Sequence, residues 1–300
     1  MDETRQIAIT GTGGRLGGAL AEWYGNRAGF TALELPREKL DLSNPEAIEE
    51  VLDGLSFDSL INAAAFTDVD ACEAEAELAR RVNALAPAAL ARAARASGAR
   101  FVQVSTDYVF GGEKPGLRRE TDPPRPLGVY AETKLEGERL VLEANPDALV
   151  LRTSWLFGAQ RPSFIDWVIS QAAENETVAA IADKISTPTS SADFVRLLDP
   201  FLPGGTAVAA NGILHLCNEG ACSWQQFGQE ALTYLADAGF PLKTTTVASI
   251  ALADLKHFVA PRPVHTAMSV DRYAGLTGTR PRAWEAALHE YLDEQYLQRT

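Results

Sequence analysis

Short apolar runs and amphipathic stretches alternate along the first half of the chain. The apolar runs are typical of buried parallel strands and lie at residues 6–10, 30–35, 58–65 and 100–107. The stretches with helical periodicity lie between them, at residues 20–24, 71–84 and 87–97. Strands that alternate with helices form a mostly parallel sheet covered on both faces. The pattern therefore predicts a doubly wound α/β fold, with a break between two helices at Pro87.

The alternation loosens after residue 158, which predicts a smaller C-terminal lobe. Helical patterns occur there at residues 163–174, 191–198, 223–238 and 284–296. An apolar run at 213–217 predicts one further strand of the main sheet, and His215 inside it is expected to be a packed core residue. We therefore assign residues 1–158 and about 188–218 to the main domain. Residues about 159–187 and 219–300 are assigned to the lobe.

Three glycines separate the first strand from the first helix. Gly11, Gly14 and Gly17 allow a tight turn and let the backbone approach a pyrophosphate, which would bind the N–H groups at the start of the helix. This arrangement predicts a Rossmann-type dinucleotide site, although a purely structural turn is the alternative. Arg37, just past the second strand, stands where an NAD enzyme would carry an acid, and it modestly favours NADP. A solvated arginine is nearly as good an interpretation.

Tyr130 and Lys134 are four residues apart in the helical stretch 128–138. They emerge on one face of that helix, where the cation favours the phenolate and makes the phenol a better proton donor. Such a donor suits the reduction of a carbonyl. By itself the pair is weak evidence, but the strand at 100–107 ends in Ser105 and Thr106 at the sheet edge where these folds bind ligands.

Composition narrows the classes of partner. With 27 basic and 40 acidic residues, the formal charge of −13 argues against binding to nucleic acid or to an anionic membrane. The first six residues lack the apolar core of a signal peptide, and no apolar run is long enough to cross a bilayer, so a cytoplasmic location is expected. The three cysteines have no metal-type spacing, and no metal site is predicted.

Taken together, these motifs resemble the extended short-chain dehydrogenase/reductase superfamily and, within it, the dTDP-4-dehydrorhamnose reductase family. The resemblance covers nearly the whole chain. Its main segments are Gly11–Gly17, 62–73, 105–111, 130–138, 151–158, 183–189 and the Arg262-Pro263 pair. The segments at 67–73, 105–110 and 152–155 are the most selective for this family.

The resemblance implies the NAD(P)H-dependent reduction of the C4 ketone of dTDP-4-dehydro-L-rhamnose to dTDP-L-rhamnose. It implies that Thr106 hydrogen-bonds the carbonyl, Tyr130 delivers the proton and Lys134 holds the nicotinamide ribose. NADPH is the expected cofactor, with NADH as the alternative. The implied cofactor-binding residues are Gly11, Gly14, Arg15, Leu16, Gly17, Arg37, Asp41, Leu42, Ala63, Ala64, Ala65, Tyr130 and Lys134. The implied substrate-binding residues are Thr67, Val69, Asp70, Thr106, Asp107, Trp155 and Arg262.

The chain departs from the family pattern in the half that selects substrate. Lys184 replaces a common glutamine, and His265 with Thr266 replaces a frequent Asn-Ser pair. The identity of the sugar is therefore open, and a reductase of another nucleotide-linked 4-keto-6-deoxysugar is the first alternative. A non-catalytic NADP-binding regulatory subunit is a second, against which the intact Thr106, Tyr130 and Lys134 count. An epimerase or dehydratase of the same fold is a third. Gly18 and Ala19 stand where some relatives carry a glutamate of a metal-bridged dimer. That type of dimer is not expected, and a homodimer of another type is left open.

Overall fold

The computed structural model describes residues 4–256 and 258–298, and a parallel sheet forms its centre. The strands are β1 (Arg5–Thr10), β2 (Phe30–Leu35), β3 (Ser59–Asn62), β4 (Arg100–Thr106), β5 (Leu149–Thr153), β6 (Leu156–Phe157), β7 (Val178–Ile181), β8 (Ile185–Ser186), β9 (Thr189–Ser190), β10 (Gly212–His215), β11 (Cys222–Ser223) and β12 (Val247–Ile250). Six of them form the central sheet in the order β2-β1-β3-β4-β5-β10. All its neighbours are parallel.

Helices cover both faces of this sheet. They are α1 (Arg15–Gly25), α2 (Ile48–Leu52), α3 (Val69–Ala74), α4 (Ala76–Arg80), α5 (Ala86–Ser97), α6 (Gly128–Ala144), α7 (Phe164–Glu174), α8 (Ser191–Leu198), α9 (Trp224–Asp237), α10 (Asp271–Thr277) and α11 (Trp284–Leu292). Short 3₁₀ turns occur at Pro45–Ala47, Asp107–Val109, Asp199–Phe201 and Leu252–Asp254. In the described part of the chain, no helix is both long and apolar enough to span a membrane.

Two apolar cores hold the helices to the sheet. On one face α1 and α8 pack through residues such as Leu20 and Phe194. On the other face α2, α5 and α6 pack through residues such as Leu90 and Val141. Both residues of each pair are buried, and removal of their apolar surface from water is the main force that holds the layers together. The predicted doubly wound α/β fold is confirmed.

The smaller C-terminal lobe has a core of its own. Helices α7, α9 and α11 meet around Phe227 and Leu288, and strands β7 and β12 pair beside them. The strand predicted at 213–217 joins the central sheet next to β5, as β10, and ends at His215. The division of the chain at residues 158, 187 and 218 stays a prediction.

The helical region before β4 differs from the sequence prediction. A break was expected at Pro87, but α4 continues into α5 through a π turn at Arg81–Leu85. The N–H of Ala86 donates to the carbonyl of Arg81, five residues back. Pro87 has no N–H to offer to the carbonyl of Asn83, and the wider turn accommodates that loss. A second π turn, Asp293–Leu297, follows α11, so the predicted last helix also changes character before its end.

Helix α6 lies unusually close to this π turn. A Cβ atom added at Gly137 would lie 2.1 Å from the carbonyl oxygen of Asn83 and 3.3 Å from the Cα of Ala84. The obstructing atoms belong to the backbone, so they cannot move aside as a flexible side chain would. Only glycine therefore permits the observed distance between α6 and the helix that it crosses.

We expect Gly137→Ala to lower the free energy of unfolding by about 1–3 kcal/mol, because the added methyl group must separate two packed helices. Chemical denaturation would measure the change. Gly275→Ala in α10 is the matched control, since a Cβ atom there meets no atom within 4 Å. That control should be neutral or up to about 1 kcal/mol more stable. Equal stability of the two variants would contradict the packing argument.

Candidate active site

The glycine turn between β1 and α1 has the geometry of an anion site. Gly11 has φ of +70°, and a Cβ atom there would lie 2.8 Å from the backbone nitrogen of Ala64. A Cβ at Gly17 would lie 2.1 Å from the carbonyl oxygen of Gly11, so the start of the helix presses against the turn. No side chain caps α1 at Gly14, and its first turn carries no acidic residue. Its N–H groups are thus suited to a pyrophosphate.

Two cavities flank this turn, and Ala65 lines both. The first has a volume of about 240 Å³ and is bordered by the predicted residues Gly11, Arg37, Asp41, Leu42, Ala64 and Ala65. The second has a volume of about 360 Å³ and is bordered by Arg15, Leu16, Ala63, Ala65, Thr67, Val69, Thr106, Asp107, Tyr130, Lys134 and Trp155. Two cavities on either side of an anion site fit the two halves of a dinucleotide. The residues present therefore fit NADPH.

Arg37 lies at the edge of the first cavity and is largely free. Its side chain is 77% exposed, and its Nε lies 3.6 Å from the carboxylate of Asp41. An exposed pair of this kind contributes little to stability. Arg37 can therefore turn toward a 2′-phosphate without a large penalty.

The second cavity brings the three predicted catalytic residues together. Tyr130 and Lys134 come from α6 and Thr106 from the end of β4, and all three are buried. The Oγ1 of Thr106 accepts a hydrogen bond from the N–H of Tyr108 at 3.1 Å. The ammonium of Lys134 donates to the carbonyl of Val104 at 2.7 Å. The end of β4 and helix α6 are thus joined next to the predicted catalytic residues.

Burial dominates the protonation of the Tyr-Lys pair. Desolvation raises the pKa of Tyr130 to about 12, while a hydrogen bond with Thr106 opposes the rise. Desolvation lowers the pKa of Lys134 to about 8, and the charge of Glu138 opposes that fall. Near neutral pH the phenol is therefore protonated, as a proton donor must be. The acidifying effect of Lys134 on Tyr130 stays a prediction, because Thr106 is the group that lowers this pKa here.

Asp107 lies behind Thr106 in a buried polar cluster. Its carboxylate accepts hydrogen bonds from Ser186 at 2.8 Å, from Thr106 at 3.3 Å and from Thr266. Lys184 is also buried, and its ammonium lies 4.9 Å from the ring centroid of Tyr108. Burial raises the pKa of Asp107 and lowers that of Lys184, and their mutual attraction opposes both shifts. Two departures from the family pattern, Lys184 and Thr266, thus lie around Asp107, next to the predicted catalytic hydroxyl of Thr106.

Asp70 and Arg262, both predicted to contact substrate, contact each other. The guanidinium of Arg262 donates to both carboxylate oxygens of Asp70 at 2.7 Å. The same carboxylate accepts hydrogen bonds from the backbone N–H groups of Val259 and Ala260. These bonds hold the pKa of Asp70 well below its usual range. The pair fastens the segment 259–262 to α3, and its contact with substrate stays a prediction.

Trp155 borders the second cavity in a strained backbone conformation. Its φ of +46° lies in the left-handed region, which a bulky residue occupies at a cost of about 1–3 kcal/mol. The ring is stacked on Trp224 at 5.5 Å and packs against Phe227 at 4.9 Å and Phe164 at 5.8 Å between centroids. These aromatic contacts offset the strain. Trp155 therefore presents a rigid apolar surface to the cavity.

Sequence reasoning did not identify Tyr108, Ser186 or Glu138 as parts of this site. Tyr108 packs edge-on against Tyr130 with 5.7 Å between ring centroids. Ser186 was within a recognised segment but carried no signal of its own. Glu138 offered a signal, because it lies one helical turn beyond Lys134 on the same face.

A parallel sheet with a glycine turn, and a Tyr-Lys pair beside a strand-end hydroxyl, define a dinucleotide-dependent reductase of the short-chain dehydrogenase/reductase class. Within that class, the chain belongs to the RmlD substrate binding domain family, whose model matches residues 5–297.

Relatives and solved structures agree with this membership. A dTDP-4-dehydrorhamnose reductase from Aggregatibacter actinomycetemcomitans is 34% identical over 94% of this chain and 97% of its own length. A "probable dTDP-4,6-dihydroxy-2-methyloxan-3-one 4-ketoreductase" from Streptomyces antibioticus is 35% identical over 94% of this chain and 92% of its own length. The structure of dTDP-4-dehydrorhamnose reductase from Bacillus anthracis in complex with NADP has a TM-score of 0.88 and 28% identity, with coverage of 97% of this chain and 100% of that chain.

We expect Arg37→Ala to raise the KM for NADPH roughly tenfold, because a charge-assisted contact to the 2′-phosphate is worth about 1.5–3 kcal/mol. The KM for NADH should change much less. Initial rates with each cofactor would measure both constants. Arg139→Ala is the control, since Arg139 is exposed on α6 and pairs with Glu143. Equal effects of Arg37→Ala on the two cofactors would exclude a phosphate contact.

Proposed function

We propose that the chain reduces the C4 ketone of dTDP-4-dehydro-L-rhamnose to the alcohol of dTDP-L-rhamnose, with NADPH as the preferred reductant. The observation that carries the proposal is the convergence of Thr106, Tyr130 and Lys134 in one buried cavity beside the glycine turn. The reductases among its relatives support the substrate class.

The proton and the hydride come from different donors, the first from the protein and the second from the cofactor. Bound NADPH supplies a hydride to C4 of the sugar. The hydroxyl of Thr106, which donates to Asp107 in the structure, would turn to donate its hydrogen bond to the carbonyl oxygen and so increase the positive character of the carbon. Tyr130 gives its proton to that oxygen as the C–H bond forms, so the product is a neutral alcohol. The charge of Lys134, which would also hold the nicotinamide ribose, favours the phenolate until the proton is replaced from solvent.

Side chains around the second cavity would orient the sugar nucleotide. Thr67 borders it from the segment before α3, Val69 borders it from the start of α3, and Trp155 supplies the rigid apolar wall. Asp107 would act at the edge of the sugar site, and Arg262 would bind the nucleotide diphosphate once Asp70 is displaced. We also infer a cytoplasmic location and leave a homodimer as a prediction.

A second candidate is reduction of a different dTDP-linked 4-keto-6-deoxysugar. The relative from Streptomyces antibioticus, named for such a reaction, is as similar to this chain as the rhamnose-pathway relative is. The buried Lys184 beside Asp107 and Tyr108 favours this reading, because it changes the charge behind the sugar site. The regulatory-subunit alternative is less favoured, since such a protein would not need an assembled Thr-Tyr-Lys set.

The direct test follows NADPH and NADH absorbance after the protein is mixed with dTDP-4-dehydro-L-rhamnose. We expect cofactor oxidation with formation of dTDP-L-rhamnose, faster with NADPH at low cofactor concentration. If both ligands bind and no oxidation occurs, a panel of other 4-keto-6-deoxysugar nucleotides decides between the second candidate and a regulatory role.

Tyr130→Phe should lower turnover about 10²- to 10⁴-fold, because general acid catalysis contributes an effect of that size. Cofactor binding, followed by NADPH fluorescence, should stay close to the unmodified level. Tyr234→Phe is the matched control, since its hydroxyl bonds to Asp293 in the lobe. Normal turnover of the Tyr130 variant would overturn the mechanism.

A further inference from the structure

A buried ion pair lies one helical turn beyond Lys134. Glu138 of α6 and Arg152 of β5 are joined by two hydrogen bonds, of 2.9 Å and 2.6 Å. Their side chains are only 3% and 4% exposed. The hydroxyl of Ser105, on β4, donates to the same carboxylate at 2.5 Å. Each oxygen of Glu138 therefore has a donor, and the three groups form one connected unit.

Strand register and helix period place these groups together. Arg152 is the register partner of Ser105 on β4 and of His215 on β10, so three polar residues cross the sheet side by side. Glu138 is four residues after Lys134, and the two side chains project from the same face of α6. The unit thus occupies the layer between the sheet and the catalytic helix.

Stability alone does not account for this unit. Transfer of two charges out of water is so costly that apolar side chains of similar volume are often as stable or more stable. The pairing is also incomplete, because Nη1 of Arg152 and Nε2 of His215 have no hydrogen-bond partner among the described residues. The guanidinium also lies over the ring of Phe110, 5.0 Å from the ring centroid. We therefore look for a role of this ion pair besides stabilisation of the fold.

Two consecutive residues of β4, Val104 and Ser105, connect this unit to Lys134. The carbonyl of Val104 accepts from Lys134, and the hydroxyl of the next residue, Ser105, donates to Glu138. The residue after that is Thr106. One turn of α6 thus holds the two residues of β4 that precede Thr106. Glu138 is the negatively charged residue of that turn.

We propose that Glu138, held in place by Arg152 and Ser105, is a positioning residue of the reductase. Its carboxylate keeps Lys134 charged inside the cavity and keeps the end of β4 at a fixed distance from α6. The inference rests on the proposed reductase function, and it assigns the ion pair to the catalytic apparatus rather than to the core.

The charges around Lys134 give the sign of the expected effect. Glu138 is the charged group that acts on it from its own helix, while Tyr130 and the buried Asp107 border the same cavity. Arg152 of β5 is paired with Glu138. Burial lowers the pKa of Lys134 to about 8, and Glu138 is the charge that opposes this shift. Activity that needs the ammonium is therefore present at lower pH and lost as pH rises through that pKa. Without the carboxylate, the loss moves to lower pH.

The experiment compares the pH dependence of kcat/KM in the unmodified protein and in Glu138→Gln. We expect the alkaline limb to move down by roughly one pH unit or more, the usual effect of a nearby charge. For a shift of one unit from a pKa of about 8, the variant should be about fivefold slower at pH 8, and it should recover most of that loss at pH 6. Glu136→Gln, on the same helix but paired with Arg80, should keep the original profile. A loss in Glu138→Gln that is equal at every pH would overturn the proposal.

Two further measurements cover the remaining outcomes. If Glu138→Gln does not fold because Arg152 is left unpaired, the double variant Glu138→Met with Arg152→Met removes both charges. The alkaline limb of its kcat/KM profile should also move down.

If the unmodified protein does not reduce the substrate, the proposed function fails, but the inference is still tested by NMR. The chain has six lysines, so the ¹³C-labelled Lys134 can be assigned with Lys134→Arg and titrated. An unchanged Lys134 titration in the Glu138 variants would refute the role.

Discussion

The site depends on the close approach of α6 to the end of β4. The carbonyl of Val104 accepts a hydrogen bond from the ammonium of Lys134, and this bond helps to set the separation between Thr106 and Tyr130. Three residues beyond Lys134, α6 is pressed against the backbone of Asn83, and only the missing side chain of Gly137 allows this. The helix is thus held by the sheet and by a neighbouring helix at once. The predicted proton donor, cation and hydroxyl keep their geometry because the helix that carries two of them is fixed by both contacts.

The burial that comes with this packing also shifts the pKa values of Tyr130 and Lys134. A lysine and a tyrosine placed in a dry layer lose their hydration, so the first becomes less basic and the second less acidic. The printed sequence gives no direct sign of this, because desolvation depends on what covers a residue. Nearby polar groups limit the effect. Thr106 lowers the pKa of the buried phenol, and Glu138 raises that of the buried ammonium.

Local patterns predicted the parts of the molecule that depend on neighbours in the chain. The spacing of Gly11 to Gly17 and of Tyr130 to Lys134 specified the turn and the shared helix face. The contacts made across the fold could not be predicted in this way. Asp107 meets Ser186 across 79 residues, and Asp70 meets Arg262 across 192. Pro87 misled the helix assignment, because whether a helix stops or widens at a proline depends on what packs against the displaced carbonyl.

If Arg262 binds the diphosphate of the proposed substrate, the Asp70–Arg262 pair makes that binding an exchange of partners. The guanidinium of Arg262 would already be oriented and largely desolvated before a diphosphate binds. The diphosphate would replace a carboxylate that offers two oxygens in nearly the same geometry. Most of the ordering has been completed before the ligand arrives. The carboxylate that leaves also releases the backbone N–H groups of Val259 and Ala260. Under the proposed function, occupancy of the nucleotide site would thereby be coupled to the freedom of the segment 259–262.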